Sequence, residues 1–419
     1  MMVKLAVDES PAGSLPRRFL LSAPLWGMFA GMILMGQGES LLRSRWQPGT
    51  LALVHVFTLG VLGNAMFGSL LQFLPAAAGV HVRGGTKHGH ALHALFNVGT
   101  LLLVTGLLCG WQTGIRIAGL LLPAAFLLLG AMTLPGVLAG KGQRLLLGGI
   151  GMALVAGLIT ALLGGCLVLL LDGRLHIPLL FLVNVHASWG TLGWIVLLLA
   201  SVARIVMPMF QGTTMVSGAA QATWTVSLLL ALCAGSWRAL AYDDMSWLKL
   251  ALLVHVAAFA STALWLQGRA PRSRRGPLLR SWQLGLSVLL MASSTLFLGI
   301  RDGLLAGALA FCIALPFLVN GMSLEIVAFL GWIELHRRVG RGVQLPGVQR
   351  LLPERDKTRA LLVQIPMAVM LPAAVLYPQA WLARAAGLAM AVGWFGVWNA
   401  LASVRRRTDR YLKNLEGHQ

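Results

Sequence analysis

Long apolar runs, separated by short polar or Gly- and Pro-bearing stretches, fill nearly the whole chain. A helix needs about 20 apolar residues to cross a bilayer. Twelve runs qualify: 20–36, 51–74, 91–110, 115–134, 145–171, 178–207, 219–236, 248–266, 281–300, 303–335, 359–378 and 380–403. The seventh has the weakest apolar pattern. The tenth is too long for one straight crossing and is expected to extend past the membrane. The pattern predicts an all-α polytopic membrane bundle, with 1–419 as a single integral membrane domain. The first run follows Lys4, Arg17 and Arg18 and ends on Gln37, Gly38 and Glu39. That ending lacks a small-residue cleavage pattern, so the run is expected to stay as an anchor.

Composition narrows the class. Of 419 residues, 57% are hydrophobic and 11% charged, against about 25% charged in an ordinary soluble domain. Mean hydropathy is +0.78. A soluble enzyme, a disordered chain and a coiled coil are excluded. The net charge of +20 is not gathered in a polar domain, so nucleic acid is not an expected partner. It tracks topology instead. With the N-terminus inside, only eight of the 33 basic residues fall on the outer face: Arg43, Arg45, Arg116, Arg174, Arg238, Lys249, Arg301 and Arg384. That asymmetry predicts cytoplasmic N- and C-termini, with membrane lipid as a partner of the basic side. The two most basic loops, 268–280 and 336–359, are Pro- and Gly-punctuated and read as surface connections. Cys109, Cys166, Cys233 and Cys312 lie in apolar runs without a CxxC pair, and read as small core residues. No Walker A sequence supports ATP-driven transport. Trp46, Trp237, Trp247, Trp381 and Trp398 lie near run ends, as interfacial anchors do.

Spans two and six share a pattern. The second carries His55, Gly60, Gly63, Gln72 and Pro75; the sixth carries His186, Gly190, Gly193, Arg204 and Pro208. The second half of span ten, Gly321 to Ala328, lines up with Gly68 to Pro75 and puts Glu325 beside Gln72. Counting back from Glu325 reaches Ala308 where the other copies hold His. Spans four apart run in the same direction. The pattern therefore predicts three pseudo-symmetric four-helix units, about 20–134, 145–266 and 281–403, around an axis along the membrane normal.

A polar side chain inside a span is costly and turns toward the bundle interior or a cavity. A neutral imidazole is a good ligand for haem iron or copper. The neighbouring glycines admit either a flat macrocycle or another helix. Two readings stay open for His55 and His186: ligands, or interior histidines bonded across helices. His255 in span eight is a further ligand candidate or a satisfied interior His. His81, His88, His90 and His93 form a His-rich loop, read as a peripheral metal site or a hydrated segment. Glu325, Arg204 and Gln72 are buried polar residues at matching repeat positions, and a Glu325–Arg204 ion pair is expected. Met207 and Met209 offer soft ligation or packing.

The segments HVFTLGVLGNAMFGSLLQFLP and HASWGTLGWIVLLLASVARIVMP resemble the His-plus-Gly helices of nitric oxide reductase large subunits and of NnrS-type membrane proteins. The span plan resembles the haem-copper oxidase catalytic subunit. The resemblance implies a b-type haem, with His55 at the place of a low-spin haem ligand, and copper, with His186 at the place of a copper ligand. It departs from the family elsewhere. Spans seven (219–236) and ten (303–335) contain no His, where the family carries a His-His pair and two further ligands. The resemblance thus implies a haem-binding inner-membrane protein of respiratory or nitric-oxide-linked metabolism. A redox partner or other respiratory subunits would accompany it. Enzymatic, oxidoreductase-like activity stays open because the usual His set is incomplete.

Two other classes compete: a secondary transporter, which repeats and buried charges also suit, and a cofactor-free structural or assembly subunit. The topology has a direct check. A green fluorescent protein fused after Gln419 should fluoresce and a phosphatase fused there should be inactive; an active phosphatase would reverse the orientation.

Overall fold

A backbone in hydrocarbon has no water to bond, so each apolar run closes its bonds internally as helix. The computed structural model describes residues 14–271, 275–339 and 345–416. Lys4 and parts of both basic loops, 272–274 and 340–344, lie outside the described residues. The described residues are all-helical, with no strand among them.

Eleven helices are long and apolar enough to cross a membrane: α1 (Ser14–Leu42), α2 (Pro48–Ala78), α3 (Gly85–Cys109), α4 (Gln112–Ala139), α5 (Arg144–Leu171), α6 (Leu179–Gln211), α7 (Gly218–Tyr242), α8 (Ser246–Gly268), α10 (Ile300–Arg338), α11 (Glu354–Leu376) and α12, which extends over Ala380–Glu416. The helix between α8 and α10, α9 (Pro277–Phe297), is 21 residues long. It is not among the eleven, and it carries Arg280, Gln283 and several hydroxyl residues. The helices present apolar side chains outward, with Leu120 73% and Leu138 81% exposed, as lipid-facing surfaces do. The His-rich stretch is a correction: His88 and His90 are helical in α3, not in a loop, and share that helix with His93, which opens the expected third span.

The contacts divide the chain into two compact units. One holds residues 1–77, 276–285 and 307–419; the other holds 78–275 and 286–306. In the first, α1 and α12 cross almost backbone to backbone. A Cβ on Gly31 would lie 2.6 Å from Ala391 N and 2.7 Å from Gly387 O. One on Gly387 would lie 2.7 Å from Met35 N. Small residues drive such crossings in lipid because attraction there comes from close packing and not from expelling water. Near this crossing Phe57 and Trp394 pack with ring centroids 6.3 Å apart. The helix ends are tied by charge. Glu334 of α10 accepts from Arg17 (2.7 Å) and Arg338 (2.8 Å), and Arg407 of α12 pairs with Asp356 of α11.

In the second unit, Phe96, Phe126 and Trp194 join α3, α4 and α6, with successive centroids 6.1 and 5.5 Å apart. Gly157 of α5 leaves the room these rings need. The turn before α8 is set by Asp244, whose Oδ1 accepts from Ser246 Oγ (2.6 Å) and Ser246 N (3.0 Å). Those bonds, with Arg238 on the other oxygen, hold the Asp244 carboxyl below the usual range.

Three helices are widened at matched places. α2 is π-helical over Val56–Gly63, α6 over Trp189–Val196 and α10 over Ala308–Ala314. These follow His55, follow His186, and start at the Ala308 that the sequence repeat put in their register. α6 widens again over Met207–Gln211. A π turn displaces the backbone bonds by one residue, and side chains help re-satisfy them: Asn64 Nδ2 donates to Gly60 O at 2.8 Å.

The α1–α12 crossing is testable. Gly31→Leu should lower the thermal midpoint in detergent, since overpacking costs about 1–3 kcal/mol or more. Gly36→Leu on the same helix has open space around it and should leave the midpoint nearly unchanged. Equal midpoints for the two would refute the close crossing.

Candidate functional site

The buried polar residues of α10 and α11 meet along one seam. Lys357 Nζ donates to both oxygens of Glu325, at 2.6 Å each, with side-chain exposures of 5% and 17%. Nearby on the same two helices, Asn320 Nδ2 donates to Gln364 Oε1 at 3.0 Å, and Gln364 Nε2 donates back to Ala360 O at 3.2 Å. Gln364 is fully buried and sits where α11 is interrupted at Val363–Gln364.

The expected Glu325–Arg204 pair is therefore corrected. Glu325 takes Lys357, and Arg204 donates through one terminal nitrogen to Val216 O (2.9 Å) and Gln221 Oε1 (2.8 Å). The physical reason is proximity along the fold. α11 begins at Glu354, five residues before the expected span start, so Lys357 enters the helical bundle with it. Gln72, the third residue of the repeat set, is 4% exposed, and neither its Oε1 nor its Nε2 has a hydrogen-bond partner. The same repeat position thus holds a paired acid, a cation bonded to neutral acceptors and an unsatisfied amide.

The three candidate histidines differ in their bonding. His55 ends the α-helical first part of α2, and its Nδ1 lies 2.7 Å from Leu51 O. His186 of α6 places Nδ1 3.0 Å from Thr160 O on α5, beside Gly164. A carbonyl only accepts, so both rings donate from Nδ1. His255 is 6% exposed and bonded on both nitrogens: Nδ1 with Ala251 O (2.9 Å) and Nε2 with Ser227 Oγ (3.1 Å). Trp224 Nε1 donates to its backbone carbonyl at 3.1 Å. That is the bonding of an interior structural histidine.

The glycines near His55 and His186 receive protein neighbours. A Cβ at Gly60 would meet Trp26 at 2.6 Å, one at Gly190 would meet Thr160 at 3.0 Å, and one at Gly193 would meet Ala156 at 2.8 Å. At Gly60, Gly190 and Gly193 the close neighbours are thus side chains of adjacent helices. Among the described residues no three His, Cys, Asp or Glu side chains form a metal-holding group. Compared with known proteins, the sequence matches no family model and no curated relative.

Sequence reasoning missed Lys357, Asn320, Gln364 and Gln221. Lys357 lies just before the expected start of span eleven, in the basic stretch read as a surface connection, so no helical spacing tied it to Gln364 in the sequence.

Lys357→Met should destabilise the protein by about 3–5 kcal/mol, because it leaves Glu325 buried without a counter-charge. Adding Glu325→Gln should recover most of the loss. A double-mutant cycle of unfolding in detergent checks both values; additive losses would dissolve the pair as an energetic unit.

Proposed function

We propose that the chain is a haem-binding integral membrane protein with the architecture of the haem-copper oxidase catalytic subunit. It would serve respiratory or nitric-oxide-linked redox metabolism without that family's complete binuclear centre. One observation carries the reading. His55 and His186 occupy matched places just ahead of π-helical segments in two repeat helices, each with Nδ1 held by a backbone carbonyl. A backbone bond of that kind orients a ligating imidazole and sets which nitrogen faces the metal. π segments also concentrate at functional sites.

The fit is good at the donor nitrogens and poor at the glycines, whose faces are filled by Trp26, Thr160 and Ala156. The group, a b-type haem before copper, would therefore be held through His55 or His186 and not stacked on those glycines. When bound, a haem supplies one-electron exchange and gas binding. The chain's own share is to orient Nε2 and to exclude water with apolar helices.

Twelve crossings in three four-helix units belong to the same proposal, with α9 as the twelfth. So do a bacterial-type inner membrane, cytoplasmic termini, and a redox partner or respiratory subunits. His255, bonded on both nitrogens, is a supporting residue in this reading. The Glu325–Lys357 pair favours a second reading, a secondary transporter with an intramembrane charge relay.

A reduced-minus-oxidised absorption spectrum of the purified protein, with metal analysis, separates the two. The haem reading expects a b-type signal that is lost in His55→Ala or His186→Ala and kept in Glu325→Gln. A colourless, metal-free, folded protein would refute it and put the transporter first.

A further inference from the structure

Arg204 lies in the C-terminal part of α6, inside a helix long and apolar enough to cross a membrane. Its hydrogen bonds go to two neutral oxygens, Val216 O and Gln221 Oε1. Its Nε is buried without a partner. No carboxylate pairs with it among the described residues. A guanidinium stays charged at any accessible pH. Placed in hydrocarbon, it calls for an anion or for water.

The surroundings say which. Arg204 lines a cavity of about 270 Å3 formed by α6, α7 and α8, near the lower end of the ~300–1,000 Å3 range of small-molecule sites. Gln221 adds a second polar group. The remaining wall is mostly apolar, with Met207, Trp224, Phe259 and Leu266 among its residues. No other charged side chain lines it among the described residues. One fixed positive charge at the edge of an apolar, aromatic-walled chamber matches a molecule with an anionic head and an apolar body.

The geometry points to a binding site for an anionic amphiphile in this cavity, with a carboxylate or phosphate head on Arg204 and Gln221 and an apolar chain against Trp224 and Phe259. The head neutralises the charge of the guanidinium. The chain replaces solvent or lipid along the apolar wall. The occupant is an acidic membrane lipid or a free amphiphilic acid; both present the same chemistry. The site is independent of any haem.

Trp224 provides the readout. The protein is placed in phosphatidylcholine nanodiscs and titrated with three bromine-labelled quenchers: a dibrominated stearate, a brominated phosphatidylglycerol and a brominated phosphatidylcholine. The signal is the tryptophan quenching that disappears in Trp224→Phe. The site predicts saturable quenching by the stearate, the phosphatidylglycerol or both, and none by the phosphatidylcholine. Stearate alone identifies a free acid as the occupant, and quenching by phosphatidylglycerol identifies a membrane lipid. Arg204→Gln should weaken the affinity about tenfold or more, as expected for loss of charge-assisted hydrogen bonds, and Arg204→Lys should retain most of it. Should Arg204→Gln fail to fold, Ala220→Phe decides, because Ala220 is an exposed residue of the cavity wall and its enlargement should abolish the saturable signal. Equal quenching by phosphatidylcholine, no saturable quenching, or undiminished quenching in the folded variants would overturn the site.

Discussion

Every polar group placed within the bilayer must find its partner inside the protein, and the structure follows from how that demand is met. Helices meet it for the backbone. Where α2, α6 and α10 widen into π turns, side chains such as Asn64 take over the displaced carbonyls. Where charges enter, they enter with company: Lys357 with Glu325, and Arg17 with Glu334. There are exceptions. Among the described residues they include single atoms of Arg17, Gln211, Gln267 and Trp394 as well as the whole amide of Gln72 and the Nε of Arg204; the last two occupy the position that the repeat reserves for a polar residue.

Much of the fold was legible because membrane helices announce themselves by composition. Each of the twelve apolar runs coincides with a helix, to within a few residues at most ends; eleven of those helices are long and apolar enough to cross a membrane, and the ninth run, 281–300, falls on α9. α9 is the helix outside the eleven. Its serines and Arg280 dilute the apolar pattern, yet Ser281 and Trp282 donate to the carbonyls of Phe317 and Leu318, so its polar groups are spent inside the protein. Hydropathy counts such residues as exposed to lipid, although the fold has bonded them.

The site was less legible, for a related reason. The repeat in sequence identified Gln72, Arg204 and Glu325 as equivalent, and the matched π segments give that equivalence a backbone counterpart. Pairing is not encoded in the repeat. It depends on which neighbouring helix brings a counter-charge, and a basic residue in PERDKTR reads as a loop residue until α11 is seen to begin at Glu354. Likewise, a glycine near a histidine has the same letter whether a macrocycle or Trp26 fills its face.

The glycine crossing of α1 and α12 also orders the birth of the molecule. Gly31 of α1 has close backbone neighbours at Gly387 and Ala391, which are made long after it. That contact cannot close until α12 has been made, while most of the other unit, 78–275, is one continuous stretch that can pack during elongation. For that interval α1 waits in the bilayer with the face of Gly31 uncovered, and whatever occupies that face in the meantime must leave before α12 can dock.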